Sequence, residues 1–397
     1  MSGRPGRVPG LACAGALALT LALAVALCGQ VAGGGAPAAA STPVPTVRVP
    51  LAAALTTPTG SWVVVAMGQK RQPLNTFWEL FSRAPAAAKW KLVTPAGVAD
   101  NGGLTVSVTS AGSAIVGFEP SQLLRFSPTA RSGDDGATWD AGLVPDALVA
   151  APDALAVGSG GTAVALVRHG DGEVLTADGP LMDWRPLAGG GPGAAAARCD
   201  SSAPDAVALS ASNSVLLGTG CRRPGQVGVF TVAGGRWQLV GPSLRGSLAQ
   251  ATTHVLRLAT SGSTTSALVA AARPGRTGLL GLFRSATGTW TETLPFVLSR
   301  ATTVVASAIG ASGQEVVLLH DGGAGDALEE TAGPDHAWVE LPRPPAGTAA
   351  VAPLANGGFD AFTVAGERLR VYTLAPSGGT WTLSQQMTVP IAYGTSS

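Results

Sequence analysis

The most informative segment of the sequence is Ser132-Gly-Asp-Asp-Gly-Ala-Thr-Trp139. Serine and aspartate side chains can accept hydrogen bonds from the amides of a tight turn, and glycine can take the positive φ that such a turn needs. Tryptophan can then pack beneath the turn. Strand-like segments flank these residues, R-F-S-P-T-A before and D-A-G-L-V-P after. The segment therefore predicts a hairpin between two β-strands.

The same arrangement recurs in weaker form along the chain. An apolar run ends near Ser or Thr, and a Gly-rich turn, a tryptophan and a short apolar run follow it. Successive tryptophans are 49, 45, 53, 53, 48 and 43 residues apart, which suits a four-stranded repeat. The seven are Trp90, Trp139, Trp184, Trp237, Trp290, Trp338 and Trp381.

Two more β-rich runs precede each tryptophan, so each repeat contains four strands. In the fourth repeat these runs start at Val207 and Val215, and they are continuous Val, Ala and Leu without polar alternation. Continuous apolar strands are buried on both faces. The sequence thus predicts an all-β, seven-bladed β-propeller of four-stranded antiparallel blades spanning residues 46–397.

The stretch from Ser132 to Trp139 resembles the Asp-box, or BNR repeat, with its pattern S-x-D-x-G-x-T-W. This motif is found in sialidase-like propellers and in several unrelated exported propellers. The resemblance assigns Ser132, Asp134, Gly136 and Trp139 a structural role in the turn between the third and fourth strands of a blade. It implies the fold and carries little information about chemistry.

The first 45 residues have a different composition. Arg4 and Arg7 precede an uncharged apolar run, Leu11–Leu27, and small residues follow. This is typical of an export signal, predicted here at 1–28, with a low-complexity linker at 29–45. V-A-L-C-G around Cys28 resembles a lipobox, although Leu27 is larger than usual at that position. A lipoprotein, a secreted protein and an uncleaved anchor all stay open, and each location is extracytoplasmic.

Charge and cysteine content narrow the function classes. Removal of Arg4 and Arg7 leaves 23 basic residues against 24 acidic ones. A near-neutral body argues against non-specific nucleic-acid binding. Cys199 and Cys221 are the two cysteines of that body. They flank a hairpin centred near Ser212 and Asn213, so we expect a disulfide across its base.

The tryptophan turns also orient the search for a site. In a blade with strands A to D, the A–B and C–D turns share one face, and the B–C turns and D–A loops share the other. The tryptophans mark the C–D turns, so binding residues are expected on the opposite face. Its turns form a partly basic rim suited to a carboxylate or phosphate. The candidate ligand-binding residues there are Arg71, His169, Arg223, Arg273 and His320.

Polar residues also recur in turns because turns recur, and this simpler explanation stays open. The histidines have Asp171 and Asp321 nearby, but two ligands fall short of the three or four that zinc or calcium needs. No metal site and no cofactor are predicted.

One catalytic hypothesis follows from the sialidase resemblance. V-R-V-P at 47–50 and G-Q-K-R at 68–71 look like that family's first arginines, which implies a clamp of Arg48 and Arg71 on a sugar carboxylate. The stretch 72–78 contains no carboxylate for a general acid, and Tyr372 and Tyr393 lack an evident glutamate partner. Sialidases also have six blades.

The sequence therefore favours an exported, non-enzymatic propeller that binds a protein, glycan or envelope component through its B–C/D–A face. A sialidase-like glycoside hydrolase is the alternative. We expect a monomer that binds no nucleic acid and touches the membrane only through a lipid on Cys28.

Overall fold

A computed structural model describes most of the chain beyond residue 46. For residues 47–53 and Ala194 only the backbone is described, and the signal, the linker and Cys28 lie outside the described residues. The described ranges are 47–69, 75–96, 102–119, 124–149, 153–169, 172–187, 191–200, 204–299, 302–322, 325–331, 333 and 336–391.

The described residues form seven consecutive units of four antiparallel strands, with the outer strand of the fifth unit split in two. This arrangement fits the seven predicted blades. The strands are, in unit 1, β1 (Val47–Thr57), β2 (Gly60–Gly68), β3 (Thr76–Arg83) and β4 (Lys91–Leu92); in unit 2, β5 (Leu104–Val108), β6 (Ala114–Phe118), β7 (Ser127–Ser132) and β8 (Asp140–Val144); in unit 3, β9 (Leu155–Val157), β10 (Thr162–Val167), β11 (Glu173–Asp178) and β12 (Arg185–Pro186); in unit 4, β13 (Pro204–Leu209), β14 (Val215–Cys221), β15 (Gly228–Ala233) and β16 (Arg236–Leu239); in unit 5, β17 (Thr252–Ser261), β18 (Thr264–Arg273), β19 (Arg276–Arg284), β20 (Trp290–Glu292) and β21 (Phe296–Leu298); in unit 6, β22 (Thr302–Ile309), β23 (Glu315–Asp321), β24 (Gly325–Thr331) and β25 (Val339–Glu340); and in unit 7, β26 (Thr348–Pro353), β27 (Phe359–Ala365), β28 (Arg368–Leu374) and β29 (Thr382–Thr388).

The hydrophobic core is divided among the junctions between units. In β6, Ala114, Val116 and Phe118 pack with residues of unit 1, whereas Ile115 packs with residues of unit 3. Both faces of the strand are therefore buried, which explains its continuous apolar sequence. Face-to-face packing of successive four-stranded sheets is the architecture of a β-propeller, and the predicted fold class is confirmed.

At two junctions, strands of different units pair with each other. Strand β1 pairs in parallel with β22, so units 1 and 6 form one eight-stranded sheet. Strand β26 of unit 7 packs beside this pair. Strand β14 also pairs with β17, through Gly220↔His254 and Cys221↔Thr253, which joins units 4 and 5 into one sheet.

Side chains of units 1 and 7 close the ring. The buried Asp360 on β27 accepts hydrogen bonds from Arg83 Nη1 at 2.5 Å and Trp90 Nε1 at 2.7 Å. The Gln385 side chain on β29 bonds both the backbone N–H and the carbonyl of Trp90, at 2.8 and 2.9 Å. Strand β29 itself pairs with β28 and completes unit 7.

Three tryptophans link neighbouring units by the same contact. Trp139, Trp290 and Trp381 donate their indole N–H groups to the carbonyls of Val93, Val240 and Pro342, at 2.8–2.9 Å. Each acceptor lies one or two residues beyond the outer strand of the preceding unit. These three tryptophans therefore tie adjacent units to each other.

The turn from Ser132 to Trp139 joins β7 to β8. Gly136 N–H donates to Ser132 Oγ at 2.8 Å, and Asp134 accepts from the Thr138 backbone N–H at 2.8 Å and from its hydroxyl at 2.6 Å. These bonds, with Thr138 as the main donor, lower the pKa of Asp134 to about 2. Gly136 has φ of 84°.

Cys199 and Cys221 form a disulfide, with their Cα atoms 4.6 Å apart. The hairpin above it pairs Leu209 with Val215 and Ala206 with Gly218, which matches the predicted centre. A disulfide is typical of oxidising compartments and is compatible with an extracytoplasmic location. No helix in the described part of the chain has the length and hydropathy needed to cross a membrane.

Candidate functional site

The predicted binding face is built from the turns between the second and third strands of each unit. Arg222 and Arg223 lie between β14 and β15, Arg273 and Arg276 flank the two-residue turn between β18 and β19, and His169 lies between β10 and β11. His320 is the penultimate residue of β23, before the corresponding turn of unit 6. These residues therefore share the face opposite the tryptophan turns.

Both histidines of this face contact a nearby carboxylate. His169 Nδ1 lies 3.2 Å from Asp146, and His320 Nδ1 lies 2.8 Å from Asp326. Arg168 forms an ion pair with Glu119 of the neighbouring unit. Burial raises the pKa of the Glu119 carboxyl, while Arg168 opposes that shift. Polar contacts within and between turns thus account for these four groups without a ligand.

Arg223 and Arg273 occupy a different setting, because units 4 and 5 share one sheet at this point. Cys221 lies opposite Thr253 of β17, and Thr253 lies opposite Ala271 of β18. Since neighbouring strands are ~4.8 Å apart, the ends of β14 and β18 are separated by about 10 Å. Four arginines consequently meet at one sheet end. We call Arg222, Arg223, Arg273 and Arg276 the arginine edge.

Backbone hydrogen bonds hold the turn that carries Arg222 and Arg223. Their amides donate to the carbonyl of Cys199, at 2.9 and 3.3 Å, so the disulfide region supports the turn. Gly225 N–H donates to Ala251 O at 2.8 Å, and Leu244 N–H donates to Gly225 O at 2.6 Å. The loop between units 4 and 5 therefore braces the arginine edge from the side.

Little negative charge offsets the arginine edge. Arg222 approaches Asp200 only to 3.9 Å, and both side chains are about three-quarters exposed. Asp205 is engaged with His254 Nε2 at 2.5 Å. Within the described ranges, Arg223, Arg273 and Arg276 have no ion-pair partner. Four guanidinium groups at one edge create a positive potential suited to carboxylate or phosphate.

The described ranges do not place the remaining predicted site residues in one site. Arg71 and Asp171 lie outside the described ranges, as does Tyr393. Arg48 lies on β1, where only the backbone is described. Tyr372 is on β28, the third strand of unit 7. In the described part of the chain, His, Cys, Asp and Glu form no group of three able to hold a metal.

Sequence reasoning missed a charged cluster at the centre of the ring. Arg257 on β17 is 2% exposed, and its Nη2 lies 3.2 Å from Asp153 Oδ1. Its Nη1 donates to Ser307 O at 2.8 Å and Ala54 O at 3.3 Å. Arg257 thereby joins units 1, 3, 5 and 6. A cavity of about 30 Å³ beside it has room for about two water molecules.

Two buried carboxyl groups surround this arginine. Burial raises the pKa of Asp153, opposed by Arg257 and by the N–H of Leu258. Burial also raises the pKa of Glu315 well above its usual range, again opposed by Arg257. Both Glu315 oxygens lack a hydrogen-bond partner among the described residues. The cluster connects neighbouring units, and the charges of its two carboxyl groups depend on pH.

Known proteins resemble this chain in structure and not in sequence. The sequence matches no protein-family model, and no curated protein is similar to it in sequence. Among solved structures, the GH74 xyloglucanase Xcc1752 from Xanthomonas campestris is similar, with a TM-score of 0.54 and 16% identity over 84% of this chain and 53% of that chain. This chain thus spans about half the length of the xyloglucanase.

Two further structures show weaker similarity. TolB from Acinetobacter baumannii has a TM-score of 0.42 and 9% identity, over 84% of this chain and 64% of that chain. YCF48 bound to D1 peptide has a TM-score of 0.39 and 14% identity, over 68% and 74% respectively. At 16% identity, the similarity to the xyloglucanase supports the fold alone and leaves the function to the site itself.

Proposed function

We propose that this chain is an exported, non-enzymatic β-propeller that binds a carboxylate- or phosphate-bearing protein or envelope component at the arginine edge. One observation carries the proposal. The histidines and Arg168 on the same face are engaged by neighbouring carboxylates, whereas Arg223, Arg273 and Arg276 have no such partner within the described ranges. Arginine binds planar oxyanions in bidentate fashion, and four of them on one braced sheet end can hold several oxygens.

The proposal is tested by binding of two anionic probes to the full chain at low ionic strength. One probe is an oligoglutamate peptide, and the other is a vesicle containing phosphatidylglycerol. We expect at least one probe to bind, and we expect Arg223→Ala/Arg273→Ala to weaken that binding by at least about tenfold, since hydrogen bonds to charged groups contribute ~1.5–3 kcal/mol each. Added salt should weaken it as well.

A charge-matched control separates this site from general attraction. Arg185 and Arg236 belong to outer strands next to the tryptophan turns, and both are exposed. Arg185→Ala/Arg236→Ala removes the same two charges and should leave probe binding unchanged. Equal losses in the two double variants, or no binding of either probe, would refute the proposal. The probe that binds also distinguishes a protein partner from a lipid surface.

We also propose that the chain belongs to the Asp-box propellers. The hydrogen bonds of Ser132, Asp134 and Gly136 and the position of Trp139 support membership of the Asp-box propellers. Export is supported by the disulfide and by the apolar N-terminal run. Globomycin-sensitive processing that is lost in Cys28→Ala would identify a lipoprotein, and processing without globomycin sensitivity would identify a secreted form.

The enzymatic alternative has its own assay. Hydrolysis of a fluorogenic sialoside by the purified chain, abolished by Arg48→Ala, would contradict a non-enzymatic function. We expect no turnover above that of the Arg48→Ala variant.

A further inference from the structure

A groove runs along the outer circumference between units 4 and 5, apart from the arginine edge. The loop after β16 supplies one wall, with Pro242, Ser243 and Arg245, and strand β20 supplies the other. Its volume is about 590 Å³, within the ~300–1,000 Å³ range typical of small-ligand sites. The buried Leu282 lies at its base.

A fixed aromatic ring lines this groove. Trp290 is partly exposed, and its Nε1 donates to Val240 O across the junction at 2.8 Å. That bond restrains the indole, so it offers a flat apolar surface at little cost in side-chain entropy. The carbon-bound hydrogens of a pyranose ring form a complementary apolar face.

The polar groups of the groove are balanced in charge. Arg245 lies on one wall and Glu292 on the other, both are exposed, and neither has an ion-pair partner in the part of the chain that the structure describes. Exposed hydroxyl-bearing residues, Ser243 and Thr291, accompany them. The Ser243 hydroxyl donates to Gln226 Oε1 at 3.1 Å and the Thr291 hydroxyl to Phe283 O at 3.3 Å, and both oxygens can still accept. A guanidinium donates and a carboxylate accepts, so the groove offers both partners that neutral sugar hydroxyls require.

We propose that this groove is a binding site for a neutral oligosaccharide, with one pyranose ring stacked on Trp290 and its hydroxyls shared between Arg245 and Glu292. An acidic ligand fits less well, because Glu292 would face its negative charge. The groove uses different side chains from the arginine edge, although the loop after β16 contributes to both, and its ligand differs from the anionic partner proposed there.

The test uses the full chain with four neutral probes: cellotetraose, xylotetraose, maltotetraose and chitotetraose. Isothermal titration calorimetry and quenching of tryptophan fluorescence report the association. We expect at least one probe to bind. Glu292→Gln and Arg245→Ala should each weaken binding by about tenfold, since each removes a charged hydrogen-bonding group from an exposed position.

Trp381 supplies a matched control for the aromatic ring. It makes the same inter-unit contact, from Nε1 to Pro342 O at 2.9 Å, but lies in unit 7. Trp290→Phe and Trp381→Phe each remove one such hydrogen bond, and only the first changes the groove. We expect weaker binding for Trp290→Phe and unchanged binding for Trp381→Phe.

Three outcomes would overturn the proposal. They are failure of all four probes to bind at millimolar concentration, binding that none of the groove substitutions alters, and binding that Trp290→Phe and Trp381→Phe alter equally. Binding of an oligoglutamate peptide in the groove, dependent on Arg245 and independent of Glu292, would assign it to an acidic peptide instead.

Discussion

Replacing Arg257 with methionine removes the cation at the centre of the ring while keeping a side chain of similar length. The change deletes the contacts with Asp153 and with the carbonyls of Ser307 and Ala54. It also leaves Asp153 and Glu315 buried without the positive charge that opposes their desolvation. Removal of one member of a buried ion pair typically costs ~3–5 kcal/mol. We expect a loss of about 4 kcal/mol in the free energy of unfolding near neutral pH.

The loss should depend on pH in a definite direction. Burial already raises the pKa of both carboxyl groups in the folded protein, and removal of Arg257 raises these values further. A carboxyl group whose folded-state pKa lies above its unfolded value binds a proton more tightly when folded, so stability falls as pH rises through that interval. Arg257→Met should therefore lose less stability, relative to the unaltered protein, at pH 5 than at pH 8.

Urea unfolding followed by tryptophan fluorescence measures this difference at the two pH values. Arg168→Met is the matched control, because Arg168 forms an ion pair with Glu119 at the surface and is 44% exposed. Surface pairs contribute ~0–1 kcal/mol, so the control should lose no more than that. If Arg257→Met does not fold, Arg257→Lys keeps the charge and loses part of the hydrogen bonding, so its loss should be smaller and nearly equal at the two pH values. For Arg257→Met, a loss below about 1 kcal/mol at pH 8, or equal losses at both pH values, would show that the buried charges do not determine the stability of the centre.

Three further changes test other parts of the fold. Glu340→Gln should raise the free energy of unfolding by ~0.2–1 kcal/mol at pH 8 and leave it unchanged at pH 5. Glu340 lies opposite Glu329, whose pKa is raised to about 7, first by burial and then by the like charge of Glu340. Denaturant titration at each pH measures the change, and a gain at pH 5 would contradict the prediction. Joint replacement of Cys199 and Cys221 by serine should cost about 3 kcal/mol, the loop-closure entropy for the 22-residue separation, and an unchanged urea midpoint would argue against a stabilising disulfide. Gly136→Ala should cost ~1–3 kcal/mol in the same assay, because its φ of 84° disfavours a side chain and the added carbon would lie 2.9 Å from the Val93 side chain, so a neutral result would mean that this turn relaxes freely.

Local features of the sequence predicted much of the fold. The spacing of the tryptophans gave the number of repeats, and their turns gave the two faces of each unit. The hairpin centre near Ser212 predicted the pairing of β13 with β14 and placed Cys199 beside Cys221. Each of these inferences depends on residues within one repeat, where turn chemistry and strand pairing are short-range effects.

Contacts between distant repeats could not be predicted from features within a single repeat. Arg257 stands in the run T-H-V-L-R-L-A, which resembles any half-exposed strand, and only the meeting of units 1, 3, 5 and 6 buries it. Asp360 gave no signal for the same reason, since its partners Arg83 and Trp90 lie 277 and 270 residues away. The groove at Trp290 depends likewise on how two neighbouring units are juxtaposed.

For the candidate site, the sequence predicted a face and two of the arginines that form the arginine edge, but it could not rank the residues. His169 and Arg223 look alike as turn residues, and the difference between them is the neighbouring carboxylate. Asp146 engages His169, whereas Arg223 has no ion-pair partner among the described residues. Charge neutralisation of this kind depends on the loops between units, and their course is not encoded in a short motif.

The junction between units 1 and 7 has a consequence for biosynthesis. Asp360 and Gln385 are made hundreds of residues after Arg83 and Trp90, with which they form side-chain hydrogen bonds. A nascent chain that stops before Asp360 therefore leaves Arg83 and the Trp90 indole without their buried acceptor. Units 1 and 6 can already pair through β1 and β22, but the face of unit 1 that packs on unit 7 must wait for the last unit. A chain truncated within unit 7 should therefore leave this apolar face exposed to proteases and chaperones.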